Sequence, residues 1–188
     1  DTESNLKSYM RPAISAFSDN IIISYPLDPV LKIYNEWPGF YSIIDELNRL
    51  VAKIAAAALD LGFLIRGGMT IGNLIHEGGV IFGEALVRAY NIESKISIYP
   101  RIVVSSEAIS RYPALLKLNM FKKSSDGLYY FDYYNSILLL SSHPGQEYPA
   151  NLRNFLNHIS NIIDGSINYY MESGGQKELS KWAWFGNE

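Results

Sequence analysis

Between Pro38 and Gly62 runs one uninterrupted segment in which Phe40, Ile43, Ile44, Leu47, Leu50, Val51, Ile54, Ala55, Ala58 and Leu61 recur at the three-and-four spacing of a single helix face. Proline suits the first helical position and glycine the position just past the last. A helix of this length with one apolar face needs a surface to lie on, and its flanks read as strands. The other face, with Asp45, Glu46, Asn48, Arg49 and Lys53, is predicted to be solvated.

The strands before it form a hairpin. Ala13-Ile14-Ser15-Ala16-Phe17 pairs with Ile21-Ile22-Ile23-Ser24-Tyr25, and Ser18-Asp19-Asn20 supplies residue types that tight turns accept. Pro26 and Pro29 end the hairpin and open a looser connection through Trp37. After the helix, residues 63–94 form a glycine-punctured stretch. Gly67, Gly68 and Gly72 interrupt an apolar strand-like run, His76-Glu77-Gly78-Gly79 turns it over, and Val80-Ile81-Phe82 returns it to a helix that begins after Gly83. Glycine inside a strand marks close approach of a backbone or a ligand. Such a hairpin feeding a helix start fits an anion or nucleotide phosphate, and it equally fits a tight packing crossover.

Further on, residues 101–105 read as a short buried strand, followed by a helix from Ser105 or Ser106 that passes Glu107, Ile109 and Leu115 and kinks at Pro113. Asp126-Gly127 is a hairpin turn before a strand over residues 128–133. A loop at His143-Pro144-Gly145 leads to a long helix from near Pro149, with Leu152, Phe155, Leu156, Ile159, Ile162, Ile163, Ile167 and Tyr170 on its buried stripe. Gly174-Gly175 ends it, and a last short helix over residues 179–185 folds Trp182 and Trp184 back on the body. The element order predicts an α+β fold, a sheet with helices on one face.

Composition excludes several classes. The 188 residues, 48% hydrophobic and 19% charged, describe one globular domain with a sizeable core. A net charge of −3 argues against a general nucleic-acid binder. The absence of cysteine removes disulfides and thiolate metal sites and fits a cytoplasmic protein. No membrane-spanning run is read. The chain opens on Asp1-Thr2-Glu3 without methionine, as expected of a processed product or a fragment.

Two segments together resemble the class III nucleotide cyclases. Arg66-Gly67-Gly68-Met69-Thr70-Ile71-Gly72 is similar to that family's strand motif Arg-x-Gly-Ile-His-Thr-Gly. The run from Gly83 through Glu84, Arg88, Asn91 and Glu93 to Ser94 is similar to its helix motif Gly-Asp-x-Val-Asn-x-Ala-Ser-Arg-Met-Glu-Ser. Upstream, Phe17-Ser18-Asp19-Asn20 followed by isoleucines resembles its metal-binding hairpin. The wording is most similar to the bacterial Pycsar pyrimidine cyclases, which make cyclic UMP or cyclic CMP as an antiphage alarm. The resemblance covers residues 13–105. It implies a ferredoxin-like palm, homodimeric, with active sites at the subunit interface.

It also implies a reaction in which the ribose 3′-hydroxyl of a nucleoside triphosphate attacks the α-phosphorus and pyrophosphate leaves, with two Mg²⁺ or Mn²⁺ ions held by carboxylates. Asp19 is the implied metal ligand; as a residue alone it serves equally as an Asx-turn. The family's other metal aspartate sits on a strand upstream of this hairpin. None is read here, so residues 1–188 are expected to form a cyclase-like domain lacking that first strand and first aspartate. The family's transition-state asparagine and arginine fall on Val87 and Asn91, with Arg88 adjacent as a cation for the phosphoryl oxygens. Arg88 is otherwise an exposed partner for Glu84. Arg66, with Gly67 and Gly68, is the substrate-binding candidate on the strand; Lys95 and Arg101 are lesser ones. The residues that read adenine in adenylate cyclases correspond to Ser15 and Val80, which cannot reproduce a charged donor and acceptor. Ser15 and Tyr25 are therefore expected to line a pyrimidine pocket, uracil before cytosine. His76 and Glu77 show no further ligand at metal spacing, and His143 and His158 show no partner. The alternatives are a catalytically inactive cyclase-homology module for dimerisation or nucleotide binding, and an interaction domain whose glycines serve packing alone.

Overall fold

The computed structural model describes residues 11–33, 36–140 and 148–187. The predicted lead-in and the loop at His143-Pro144-Gly145 lie outside the described residues. So do the side chains of Leu152 and Phe155. The architecture is α+β, with antiparallel pairing dominant. The chain divides into two compact units, one formed by the chain through Asn48 with Gly72–Leu86, the other by Arg49–Ile71 with Val87–Glu188.

In the first unit, β1 (Ala13–Phe17) pairs antiparallel with β2 (Asn20–Ser24), in the register Ala13↔Ser24, Ser15↔Ile22 and Phe17↔Asn20. Helix α1 (Leu27–Ile33) follows, where the sequence predicted a loose connection. Pro29 stands in its first turn, where an amide N–H would have no helical acceptor, so the proline costs no hydrogen bond. Val30 buries itself there. Helix α2 (Glu36–Asp60) starts within two residues of the predicted Pro38 and contributes Phe40, Ile43 and Ile44 to this unit's core. Asn48, predicted on the solvated face, is buried, because it lies four residues after Ile44 and so on the same side of the helix. A second hairpin, β4 (Ile75–Glu77) with β5 (Val80–Phe82), turns through Gly78 and Gly79, both at positive φ. Helix α3 (Glu84–Lys95) begins directly after Gly83.

The second unit is built on a four-stranded sheet of order β3-β6-β8-β7. β3 (Gly67–Met69) runs parallel to β6 (Ile102–Val104); β8 (Tyr129–Phe131) is antiparallel to both β6 and β7 (Phe121–Lys123). The strand predicted to run on through Gly72 ends at Met69. Helix α4 (Ser106–Arg111) is capped by Ser105, whose hydroxyl accepts from the Ala108 amide, and Pro113 then starts a 3₁₀ turn, Pro113–Lys117, rather than a kink. The predicted strand 128–133 stops short because the Asp132 carboxylate accepts from the Asn135 amide, the geometry of a helix N-cap, and α5 (Tyr133–Leu140) begins there. The long helix α6 (Tyr148–Ser173) and α7 (Gln176–Asn187) close the unit. On α6, Ile159 is buried as predicted while Leu156 is exposed, and Leu61, past the end of α2, is exposed as well.

Arg101, a lesser phosphate candidate, is only 2% exposed and belongs to this unit's core. Its guanidinium bonds both carboxylate oxygens of Asp126 and lies 5.7, 5.9 and 5.8 Å from the ring centroids of Tyr99, Tyr130 and Trp184. Trp184 stacks on Tyr99, so the charge that anchors the β7–β8 turn also pins α7.

Candidate functional site

The predicted site residues divide between the two units. Asp19, Ser15 and Tyr25 belong to the first; Arg66, Gly67, Gly68, Arg88 and Asn91 belong to the second.

In the first unit the register fixes which side chains share a face. Residues directly opposite in an antiparallel pair point the same way, so Ser15 and Ser24 lie diagonally on one face of the β1–β2 hairpin. His76 of β4 bridges them. Its Nε2 is 2.9 Å from the Ser15 hydroxyl and its Nδ1 is 2.8 Å from the Ser24 hydroxyl, both contacts part-buried. Sequence spacing gave His76 no partner; folding gives it two. The shared face of the serines is legible once the two-residue turn is placed, whereas the third member comes from a hairpin 52 residues beyond Ser24.

The turn itself is unusual. Ser18 has φ of 55°, and it is the one non-glycine residue at positive φ among the described residues. Its place is the first of the two turn residues, which glycine takes in a type II′ turn. A non-glycine residue held there stores about 1–3 kcal/mol of local strain, which surrounding structure must offset. Asp19 is thereby presented at the tip, exposed, with its Oδ1 accepting from Asn20 Nδ2 at 3.0 Å.

Tyr25, just past β2, carries a buried hydroxyl with no hydrogen-bond partner among the described residues. Burial, with the Glu46 carboxylate adding to it, pushes the phenol up to about 12. A buried phenol without a partner is costly to retain, and it is the kind of group a polar ligand would satisfy.

In the second unit, packing and ion pairing occupy the predicted phosphate contacts. A Cβ on Gly68 would lie 2.3 Å from the carbonyl oxygen of Ala89 and 2.8 Å from Cβ of Ile92, so β3 and α3 touch backbone to backbone. Gly67, next to it, faces only Ile102 at ordinary contact distance. Arg66 pairs with Glu93 at 2.8 Å and donates to the Ser97 carbonyl at 3.4 Å. Arg88 donates to the Ile71 carbonyl at 3.1 Å and pairs with Glu107 at 3.5 Å, not with Glu84 as predicted. The Glu107 carboxyl is held below its ordinary range by its own backbone amide at the start of α4, with Arg88 adding to the effect. Asn91 is half-buried on α3. His158, expected to stand alone, pairs with Asp60 at 3.2 Å.

Among the described residues no group of three or more His, Asp or Glu side chains is placed to hold a metal ion. Asp19 has Asn20 as its polar neighbour. No helix among the described residues is long and apolar enough to cross a membrane. No protein-family model, no curated protein and no solved structure matches the chain.

Proposed function

We propose that this chain is a pyrimidine nucleotide cyclase domain of class III type, with a ferredoxin-like palm, that converts UTP, or CTP, to the 3′,5′-cyclic monophosphate and pyrophosphate. The product would be a second messenger in antiphage defence. The observation that carries this reading is the Ser18–Asp19 turn. A strained, non-glycine turn residue holds an exposed carboxylate outward, and strain of this sort collects where function requires a fixed geometry. Ser15 and the phenol of Tyr25, which has no hydrogen-bond partner among the described residues, lie on the same hairpin or immediately after it and supply neutral hydrogen-bonding groups suited to an uncharged pyrimidine edge. The close approach of Gly68 to α3 supports the resemblance of that strand and helix to the family's motifs. Ile14 and Ile21 share the opposite face of the hairpin and are half exposed, in keeping with a homodimer.

A second reading is a catalytically inactive cyclase-homology module. It is favoured by Arg66 and Arg88 being held by Glu93 and Glu107, and by no group of three or more metal-ligating side chains standing together among the described residues. One experiment separates the two. The full chain is incubated with each of the four nucleoside triphosphates and Mn²⁺, and products are resolved by chromatography. Cyclic UMP or cyclic CMP that disappears in Asp19→Ala supports the enzyme. Nucleotide bound without product supports the module, and neither binding nor product from any of the four removes both.

A further inference from the structure

A cavity of about 350 Å³ lies within the second unit, walled by the end of α2 and by α6 and α7. That volume is at the lower end of the range that small-molecule sites occupy. None of the residues assigned above to the cyclase site lines it. Two residues on its wall are poor choices for the helices that carry them. Gly165 stands in the interior of α6, where glycine weakens a helix relative to alanine. Packing does not require it there, since a Cβ would meet nothing within 4 Å. Asn161 and Tyr169 lie four residues to either side of Gly165 and also line the cavity, so the side chain that is lacking is lacking from the cavity face. Asp60 is the last residue of α2, at the negative end of the helix dipole, with no basic residue in that turn to offset it. Departures from local preference concentrate at functional sites, and here two of them meet at one cavity.

We propose that this cavity binds a small organic cation, a primary alkylammonium, with Asp60 as its counter-charge and Gly165 leaving room for its alkyl chain. Asp60 is the one charged group among the described residues that line the cavity. Tyr169 and Trp182 line it as well, and aromatic faces attract cations. The Tyr169 ring stands edge-on to that of Tyr170, with 5.1 Å between centroids, which restricts its orientation. An ammonium carries three N–H donors and no acceptor; the Asp60 carboxylate, the Asn161 amide oxygen and the Ser166 hydroxyl are acceptors of the matching kind. His158 Nε2 meets Asp60 Oδ1 at 3.2 Å, but both side chains are more than half exposed, and such a pair contributes little and gives way to a better-placed cation. The site is independent of the cyclase reading and does not fall with it.

The test uses the full chain, with butylammonium chloride as the probe and 1-butanol and butyrate as its neutral and anionic counterparts. Binding is followed in ¹H–¹⁵N correlation spectra and stability in thermal scans. Butylammonium should shift the Gly165 and Tyr169 amides saturably, with a Kd of about 1 mM for a ligand of that size, and the two counterparts should not. Asp60→Asn should weaken binding about tenfold, and Tyr169→Ala about two- to fivefold. Gly165→Ala should raise Tm by about 2–4 °C and at the same time weaken binding, so that misfolding cannot be the cause of the loss. A response to butanol equal to that of butylammonium would show an apolar hollow and overturn the proposal. No saturable shift with butylammonium overturns it too, as does undiminished affinity in an Asp60→Asn chain whose spectrum otherwise matches wild type. A Gly165→Ala chain with a lowered Tm, or with wild-type affinity, would remove the glycine from the site and the proposal with it.

Discussion

Adjacent glycines on β3 should respond oppositely to the same substitution. At Gly68 an added methyl would sit 2.3 Å from a backbone oxygen and 2.8 Å from Cβ of Ile92, distances that no side-chain rotation relieves. Gly68→Ala therefore forces α3 off β3, and overpacking of this kind costs about 1–3 kcal/mol. The alanine gains less than that, about 0.4–1 kcal/mol, by restricting the unfolded chain. At Gly67 the nearest atom to the new methyl is Cγ1 of Ile102 at 3.5 Å, an ordinary contact, and the backbone is not at positive φ. There the unfolded-state term acts alone, so Gly67→Ala should be neutral or slightly stabilising. Urea unfolding followed by circular dichroism would place the midpoint of Gly68→Ala below wild type and that of Gly67→Ala at or above it. In thermal scans, each kcal/mol corresponds to about 2–4 °C for a chain of this size. Coincident midpoints for the two variants would refute the packing account. A Gly67→Ala protein that is fully stable yet no longer binds nucleotide would show that the first glycine, unlike the second, is there for a ligand.

Asp126→Asn leaves the buried Arg101 guanidinium without its counter-charge, and after allowance for the carboxylate's partial exposure should cost about 1–2 kcal/mol at neutral pH. The Arg101 hydrogen bond holds the Asp126 carboxyl below its ordinary range, so its contribution is present above that range and is lost as pH falls through the lowered value. The stability gap between wild type and Asp126→Asn should close on acidification below about pH 4, and a gap that persists at pH 2 would show the charge is not its source. Tyr25→Phe removes a buried hydroxyl that has no partner among the described residues, so stability at neutral pH should stay level or rise, by up to about 1–3 kcal/mol, whereas a loss above about 1 kcal/mol would reveal a bond the geometry does not contain. Because the folded-state phenol is raised from 10.0 to about 12, its neutral form stabilises the fold below the ordinary value, and that contribution disappears as pH rises through the raised one. The variant should therefore lose less stability than wild type in alkaline solution, with one fewer late-ionising tyrosine in an absorbance titration.

Local chemistry made much of the fold legible. The three-and-four periodicity from Phe40, closed by Gly62, placed the long helix because helix faces repeat at a fixed angle. Gly78-Gly79 and Asp126-Gly127 placed their turns because few residues accept positive φ. Other elements were hidden by competing local signals. Pro29 argued against a helix that exists because the first turn has no use for its missing N–H. The aromatic run after Leu128 suggested a longer strand than Asp132 allows, since its carboxylate caps a helix instead. β7, three residues with two lysines, carries almost no strand pattern and forms because β8 offers it an edge.

Of the candidate site, the sequence by itself determined the exposed Asp19 turn, the glycine-bearing strand and the helix that follows, because turn residues and glycines act within a few bonds of where they stand. The tertiary structure alone decided which charges were already spent and which polar groups met. It gave Arg66 to Glu93 and Arg88 to Glu107, drew Arg101 into an aromatic cage, and set His76 between Ser15 and Ser24. Those pairings join residues far apart in the chain, and the energy that selects them is burial and hydrogen bonding summed over whole units, which no local pattern encodes.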